Sequence, residues 1–343
     1  MTDHDLVLQQ AYAVSYQWFD KVSLAPLGNG HIHHTFLLTR VSDNSRFVLQ
    51  RVSESVFVDP LLVHEQTLRI TEHLARDEDF CSRYRVPRLQ PNKHGELYCA
   101  AESGFWRIWQ YLGNSKVFQN LQNQNQIVLS ARAFADYQKA LASLPGEHLR
   151  ESIIGFLKMD HYLQQFDLVA NSAAKVLLSS IDQLRDQGSD FAEPNAHIHA
   201  DCKVNNLLFN LQGSAVTSII DLDTTMYGHW ALDFGDLTRS IAFSRGAVDV
   251  QDFACAAEGY LAGLGRPVTE RVVQNMVDAP GHIAGMLGLR FLTDHLMGDV
   301  YFRTQHEGEN LQRAEQQFAL MQQFRQQHKL MEEVVKRLGA GIT

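Results

Sequence analysis

Strand-forming residues are confined to the first third of this chain and to one island near residue 200, while the remainder follows helical spacing. A β-rich start joined to a helical remainder implies a two-lobed α+β architecture. At 343 residues the chain is also too long for one ordinary core. Residues 5–18 place Leu6, Leu8, Ala11, Val14 and Trp18 near helical intervals. From residue 23 to 52 the pattern turns to strands, with 36–39 and 46–52 flanking the turn signal Ser42-Asp-Asn-Ser45. Asp59-Pro60 predicts the start of a helix that runs to about residue 76 and contains Glu65. Residues 86–89 and 97–100 flank a second hairpin signal at Asn92-Lys-His-Gly95, and 105–112 forms an apolar aromatic strand ending at Gly113. Helices are expected over 126–143, 161–186, 250–263, 268–278, 281–297 and 311–338. The expected division is 1–112 for the small lobe and 113–343 for the large one.

Composition narrows the function classes. Hydrophobic residues make up 45% and charged residues 20%, and the net charge is −9. A nucleic-acid binder would carry a basic surplus or stripe, and this chain has neither. Its four cysteines form no CxxC pair, which suits a reducing compartment. The N-terminus lacks the basic and apolar regions of a signal peptide, and no run of eighteen apolar residues is present. A cytoplasmic protein without a membrane span is expected.

The chemistry concentrates in the island, His197-Ile-His-Ala-Asp-Cys-Lys-Val-Asn-Asn206, followed by a hairpin that ends at Asp221-Leu-Asp223. A base Asp, an Asn five residues later and a second Asp on the next hairpin form the arrangement used for phosphoryl transfer. Asp201 would then accept the proton of an attacking hydroxyl, and Lys203 would meet the transferred phosphoryl. Asn206 and Asp221 would hold Mg²⁺ against the phosphates of ATP, hard oxygen donors suiting that ion. A rival reading takes His197-x-His199-x-Asp201 as a zinc-ligand run. It leaves Lys203, Asn206 and the Asp221 hairpin without a role, and His199 is better placed to buttress the loop.

Other positions are candidates on weaker patterns. Gly28 and Gly30, in a strand–turn–strand, could lay backbone amides over phosphates. His31 sits on the same turn, facing solvent or substrate. Phosphoryl transfer of this kind needs a cation on the third strand paired with a helix glutamate, and Arg51 with Glu65 fill those places; Gln50 competes with Arg51 because neighbours on a strand face opposite ways. Gln110 and Leu112, at the end of the aromatic strand, could offer backbone groups to adenine. Arg290 and Asp294 are i,i+4 neighbours on a helix, the spacing of a surface ion pair. Asp233-Phe-Gly-Asp236 with Arg239 suggests an acid–base cluster beneath the catalytic loop.

Together these residues resemble the aminoglycoside phosphotransferase-like kinases, and within them the anomeric N-acetylhexosamine 1-kinases. The resemblance runs through Gly28-Asn-Gly-His-Ile32, Leu49-Gln-Arg-Val52 and Trp106-Arg107, then the island with Ile220-Asp-Leu-Asp-Thr-x-Met226. It continues through Asp233-Phe-Gly-Asp236, Arg290-Phe-Leu-Thr-Asp294, Gly298-Asp299 and Tyr301-Phe302. It implies a protein-kinase-like bilobal fold, with ATP and Mg²⁺ as cofactors and a nucleotide-binding small lobe. It also implies sugar contacts from His31, Arg290 and Asp294, and a place for Asp223 near the metal or substrate. The chain departs from that branch at Phe156-Leu-Lys-Met-Asp-His161, at His33-His34 and at Tyr227. The acceptor is expected to be a sugar hydroxyl. The alternatives are another small hydroxyl compound (an aminoglycoside, choline or homoserine) and a kinase-like binding module without turnover.

Overall fold

Contacts divide the chain into two units, residues 1–76 with 85–114 and residues 77–84 with 115–343. The computed structural model describes residues 3–28, 32–170, 177–186 and 191–341.

The first unit is built on an antiparallel sheet. Its strands are β1 (Val22–Pro26), β2 (His34–Arg40), β3 (Arg46–Arg51), β4 (Cys99–Ala101) and β5 (Gly104–Gln110), in the order β1-β2-β3-β5-β4. Helix α1 (Asp3–Ser15) covers one face. Alternation sends Phe36, Leu38, Phe47, Leu49, Trp106 and Ile108 to that face, where they meet Val7, Ala11, Val14, Trp18 and Phe19. Full burial of each large side chain contributes about 1.5–3 kcal/mol. Helix α2 (Pro60–Leu74) begins where Asp59-Pro60 predicts, and the Asp59 carboxylate caps it by accepting the Leu62 N–H at 3.0 Å. The expected strand at 86–89 is reduced to a single bridge from Leu89 to Trp109.

Residues 77–84 belong to the second unit because of one buried carboxylate. Asp136, on α4 (Gln124–Ala140), takes Arg83 at 2.6 Å and the Tyr84 hydroxyl at 2.9 Å, which ties the short helix α3 (Glu78–Cys81) to α4. The second unit also carries a three-stranded sheet of β6 (Ser115–Val117), β8 (Leu207–Asn210) and β9 (Val216–Ile219), in the order β6-β8-β9. A two-stranded ribbon pairs β7 (Ala196–Ile198) with β10 (Met226–Gly228). The helices of this unit are α4, α5 (Met159–Val169), α6 (Leu178–Asp186), α7 (Ala231–Arg245), α8 (Val250–Leu264), α9 (Glu270–Leu296) and α10 (Glu309–Ala340).

Three helical expectations are corrected. The span 161–186 holds two helices rather than one, with residues 171–176 outside the described residues. The helices expected at 268–278 and 281–297 are one, α9, with Pro280 inside it. Helix α7 was not expected at all. Almost every residue from Ala231 to Ala242 is buried, so it shows no amphipathic period. Gly235 lets α7 reach α9 closely, since a Cβ there would lie 2.7 Å from the Ala279 carbonyl.

Candidate active site

The catalytic loop leaves β7 at Ile198 and is held from below by Asp233, in the first turn of α7. The two carboxylate oxygens of Asp233 accept the His199 and Ala200 N–H groups, each at 2.8 Å. Ala200 sits at φ 65°, a left-handed conformation that a side-chain-bearing residue adopts at a cost of about 1–2 kcal/mol. Those two bonds stabilise the sharp bend that presents Asp201. Burial pushes the Asp233 carboxyl above its ordinary range, against the two amides and the Cys202 thiol that favour its charge.

His199 braces the loop from within. Its ring is fully buried against Phe134 and Tyr137, at 5.3 and 5.5 Å. Nδ1 accepts the Asp201 N–H at 3.3 Å, so Nε2 carries the proton and donates to the Ile220 carbonyl at 3.0 Å. Both nitrogens are therefore occupied, and His199 has no lone pair for zinc. The expectation that it buttresses the loop holds.

The hairpin of β8 and β9 returns the chain to the loop. Asn210 closes its turn by accepting the Ser214 N–H at 2.9 Å, and the Ile220 N–H then bonds the Asn206 carbonyl at 3.0 Å. Asp221 follows in a left-handed conformation at φ 62° and opens a short turn through Thr224. That turn is clamped from two sides. Thr224 donates to the His199 carbonyl at 2.9 Å, and Ser152 donates to the Asp223 carbonyl at 2.6 Å.

Asp201, Lys203 and Asn206 converge as the spacing predicts. The Lys203 ammonium lies 2.9 Å from Asp201 Oδ2, and Asn206 Nδ2 donates to the same oxygen at 3.0 Å and to the Asp201 carbonyl at 2.9 Å. Burial resists ionisation of Asp201, yet Lys203 and Asn206 outweigh it and hold the carboxyl below the usual carboxylate range. Burial also works against the charge on Lys203, and the carboxylates of Asp201 and Asp221 raise it above the usual lysine range. Asn206 offers its side-chain oxygen beyond the amide used on Asp201. The Asp221 and Asp223 carboxylates are likewise hard oxygen donors, the type that suits Mg²⁺. Asp221 is exposed and Asp223 is 3% exposed.

Arg290 and Asp294 do not pair with each other, contrary to their i,i+4 spacing. Asp294 is buried, and its oxygens accept the N–H groups of Val300, Tyr301 and Phe302 at 2.7–2.9 Å and the Asn310 amide at 2.9 Å. Its carboxylate is spent on shaping the loop after α9, so Asp294 sets that loop rather than offering itself to a substrate. Arg290 instead lies among four rings, those of Phe156, Tyr162, Tyr301 and Phe302, at 5.1–5.6 Å from their centroids. Among the described residues no side chain or carbonyl accepts from its guanidinium, which keeps its donors available. Ser152, four residues before Phe156, links this cage to the Asp223 turn, a reach of at most about 14 Å of extended chain.

In the first unit, Arg51 and Gln50 fall on opposite faces of the sheet, as alternation expects. Arg51 lies on the sheet face covered by α1 and bonds Gln10 at 3.3 Å. Among the described residues no ion pair joins it to Glu65, which is exposed. Gln50 points to the opposite face, where Arg107 donates to it from Nε at 2.9 Å and Nη2 at 2.7 Å. Gly28 has the left-handed φ of 72° expected of a turn glycine, whereas Gly30 and His31 lie outside the described residues. The Gln110 N–H is committed to the Arg88 carbonyl at 2.8 Å, and Leu112 is half-buried just beyond β5.

Sequence reasoning missed the grip of Ser152 on Asp223, the Gln50–Arg107 pair and the ring cage of Arg290. Ser152 and Asp223 are 71 positions apart, Gln50 and Arg107 57, and the Phe156 and Tyr162 rings 134 and 128 from Arg290, so these contacts have no local signal.

Comparison with known proteins agrees with this geometry. The fold is similar to that of an aminoglycoside phosphotransferase from Alicyclobacillus acidocaldarius, at 14% identity and a TM-score of 0.59, covering 93% of this chain and 96% of that one. It is also similar to a choline/ethanolamine kinase family protein from Mesorhizobium loti, at 14% identity and a TM-score of 0.61, covering 96% and 99%. An ethanolamine kinase from Plasmodium vivax matches at 12% identity and a TM-score of 0.57, covering 88% and 82%. These likenesses bear out the protein-kinase-like α+β fold. Residues 23–270 match the phosphotransferase enzyme family (APH), a span that holds the whole catalytic island. The chain belongs to that family and is an ATP-dependent phosphotransferase with a hydroxyl acceptor.

Proposed function

We propose that this phosphotransferase moves the γ-phosphoryl of ATP to a sugar hydroxyl, in the manner of an N-acetylhexosamine 1-kinase. The observation that carries the choice of acceptor is Arg290, a guanidinium held among four rings with its donors uncommitted among the described residues. Such a group recognises hydroxyl, carbonyl or anionic oxygen. Choline, ethanolamine and aminoglycosides are cations. At an effective dielectric constant of about 20, an ammonium about 5 Å from the guanidinium would cost roughly 3 kcal/mol. Sugar rings also carry apolar C–H faces that pack on aromatic rings, and Tyr301 and Phe302 supply such rings beside Arg290.

In the reaction, Asp201 orients the attacking hydroxyl and takes its proton, and its lowered pKa keeps it ionised for that role. Lys203 neutralises charge on the transferred phosphoryl, and Asp233 and His199 hold the loop in place. Asn206, Asp221 and Asp223 would hold Mg²⁺, which when bound neutralises phosphate charge. On the first unit, Gly28, Gly30 and Gln50 backed by Arg107 are the residues assigned to the nucleotide, with backbone groups at Gln110 and Leu112. His31 is assigned to the acceptor. We place the enzyme in the cytoplasm, where its four free cysteines stay reduced.

The test is ATP consumption over N-acetylglucosamine, N-acetylgalactosamine, neutral hexoses, choline, homoserine and an aminoglycoside. Selective turnover of an N-acetylhexosamine is expected. Selective turnover of choline or an aminoglycoside would overturn the acceptor assignment, and silence across the panel would favour a binding module.

A further inference from the structure

Away from the catalytic loop, α9, α10 and Phe191 line an open-sided cavity of about 330 Å³, within the range of small-molecule sites. His282 lines it, is 5% exposed and makes no hydrogen bond among the described residues. Beside it, His229 is 2% exposed and accepts the Ala231 N–H on Nδ1 at 3.3 Å. Its Nε2 therefore carries a proton, and that donor has no partner among the described residues. The Phe191 ring meets His229 edge-on at 5.1 Å and lies tilted against His282 at 4.8 Å. One imidazole in the cavity lining thus has no partner among the described residues, and a second, behind Phe191, has an orphaned N–H, which is costly for a buried polar group and is normally matched by a ligand or an ordered water.

The lining indicates what would match them. Val277, Phe324 and Phe191 make the walls apolar. At the rim Arg325 is bonded to the neutral Gln183, and among the described residues no carboxylate pairs with it. The acid in the lining, Asp278, is already taken by His328 at 3.0 Å and by Gln274 at 2.6 Å. We propose that this cavity binds a small organic carboxylate with an apolar body, which hydrogen-bonds His282 and sets its anionic group beside Arg325. Phe191, which lines the cavity, also packs against His229, just before the helix whose Asp233 holds the catalytic loop.

The test uses the full-length protein and 1-naphthoate as probe, by isothermal titration calorimetry at neutral pH. One molecule is expected to bind per chain, undisturbed by saturating ATP with Mg²⁺. Arg325→Gln and His282→Leu should each weaken it at least about fivefold, and Arg325→Gln should leave phosphotransfer unchanged. No saturable binding, meaning a cavity that holds water alone, would overturn the proposal. Displacement by ATP, or equal affinity in the variants, would do the same. If His282→Leu fails to fold, Arg325→Gln decides the matter.

Discussion

Replacing Asp233 with asparagine is a severe test of how the catalytic loop is held. The wild-type carboxylate accepts two N–H groups, from His199 and Ala200, each at 2.8 Å. An asparagine keeps one oxygen and turns an NH₂ toward the other amide. One charge-assisted bond, worth about 1.5–3 kcal/mol, is lost, and a buried N–H is stranded at about 1–3 kcal/mol. Against this, the variant no longer buries a charge whose desolvation already raises the Asp233 pKa, so the net loss should be near 2 kcal/mol. For a chain of this size that corresponds to a fall in Tm of roughly 3 °C. The larger effect is on turnover. Ala200 holds its strained φ of 65° between those two bonds, and relaxing it moves the adjacent Asp201. A displacement near 1 Å costs about a hundredfold in rate. Steady-state ADP release should therefore show kcat down about a hundredfold, with KM for ATP close to wild type. A folded Asp233→Asn enzyme with wild-type kcat would refute this account of the loop.

Three further outcomes are expected. Arg290→Met should keep the packing among the four rings but remove the donors, raising KM for the acceptor at least tenfold with KM for ATP unmoved; about 1.4 kcal/mol of acceptor binding corresponds to that factor. Asp294→Ala strands the amides of Val300, Tyr301 and Phe302, and should cost about 2–4 kcal/mol in chemical denaturation while weakening acceptor affinity. Acid should destabilise the fold through His229 and His282, whose burial lowers each pKa from 6.5 to about 4. The unfolded chain binds protons that the folded one refuses, so stability is fully present above about pH 6.5 and is lost progressively toward pH 4. The loss is at most about 3 kcal/mol per histidine, and His282→Leu should flatten that slope in urea titrations across the range.

What could be read from sequence was what lies close along the chain. Asp201, Lys203 and Asn206 fall within six residues, and a hairpin with its own turn signal brings Asp221 back to them. Such a unit is encoded locally, so spacing sufficed. The sheet was likewise visible through alternation. Tertiary packing decided the rest. Arg51 and Gln50 could be sent to opposite faces by alternation, but only the position of α1 determined which face was covered. Helical spacing paired Arg290 with Asp294, yet three backbone amides of the following loop take that carboxylate while four rings hold the guanidinium. Helix α7 escaped because it is buried nearly all round, and a stripe is what periodicity detects.

Asp201 is proposed to deliver a sugar hydroxyl to the γ-phosphoryl of ATP. Phosphorus NMR of wild-type and Asp201→Asn enzyme, each with ATP, Mg²⁺ and N-acetylglucosamine, measures it directly. Wild type is expected to convert the γ-phosphate signal into a sugar 1-phosphate and ADP, while Asp201→Asn still binds ATP and forms almost no product. A sugar phosphate formed at equal rates by both enzymes, or none formed by wild type, would contradict it.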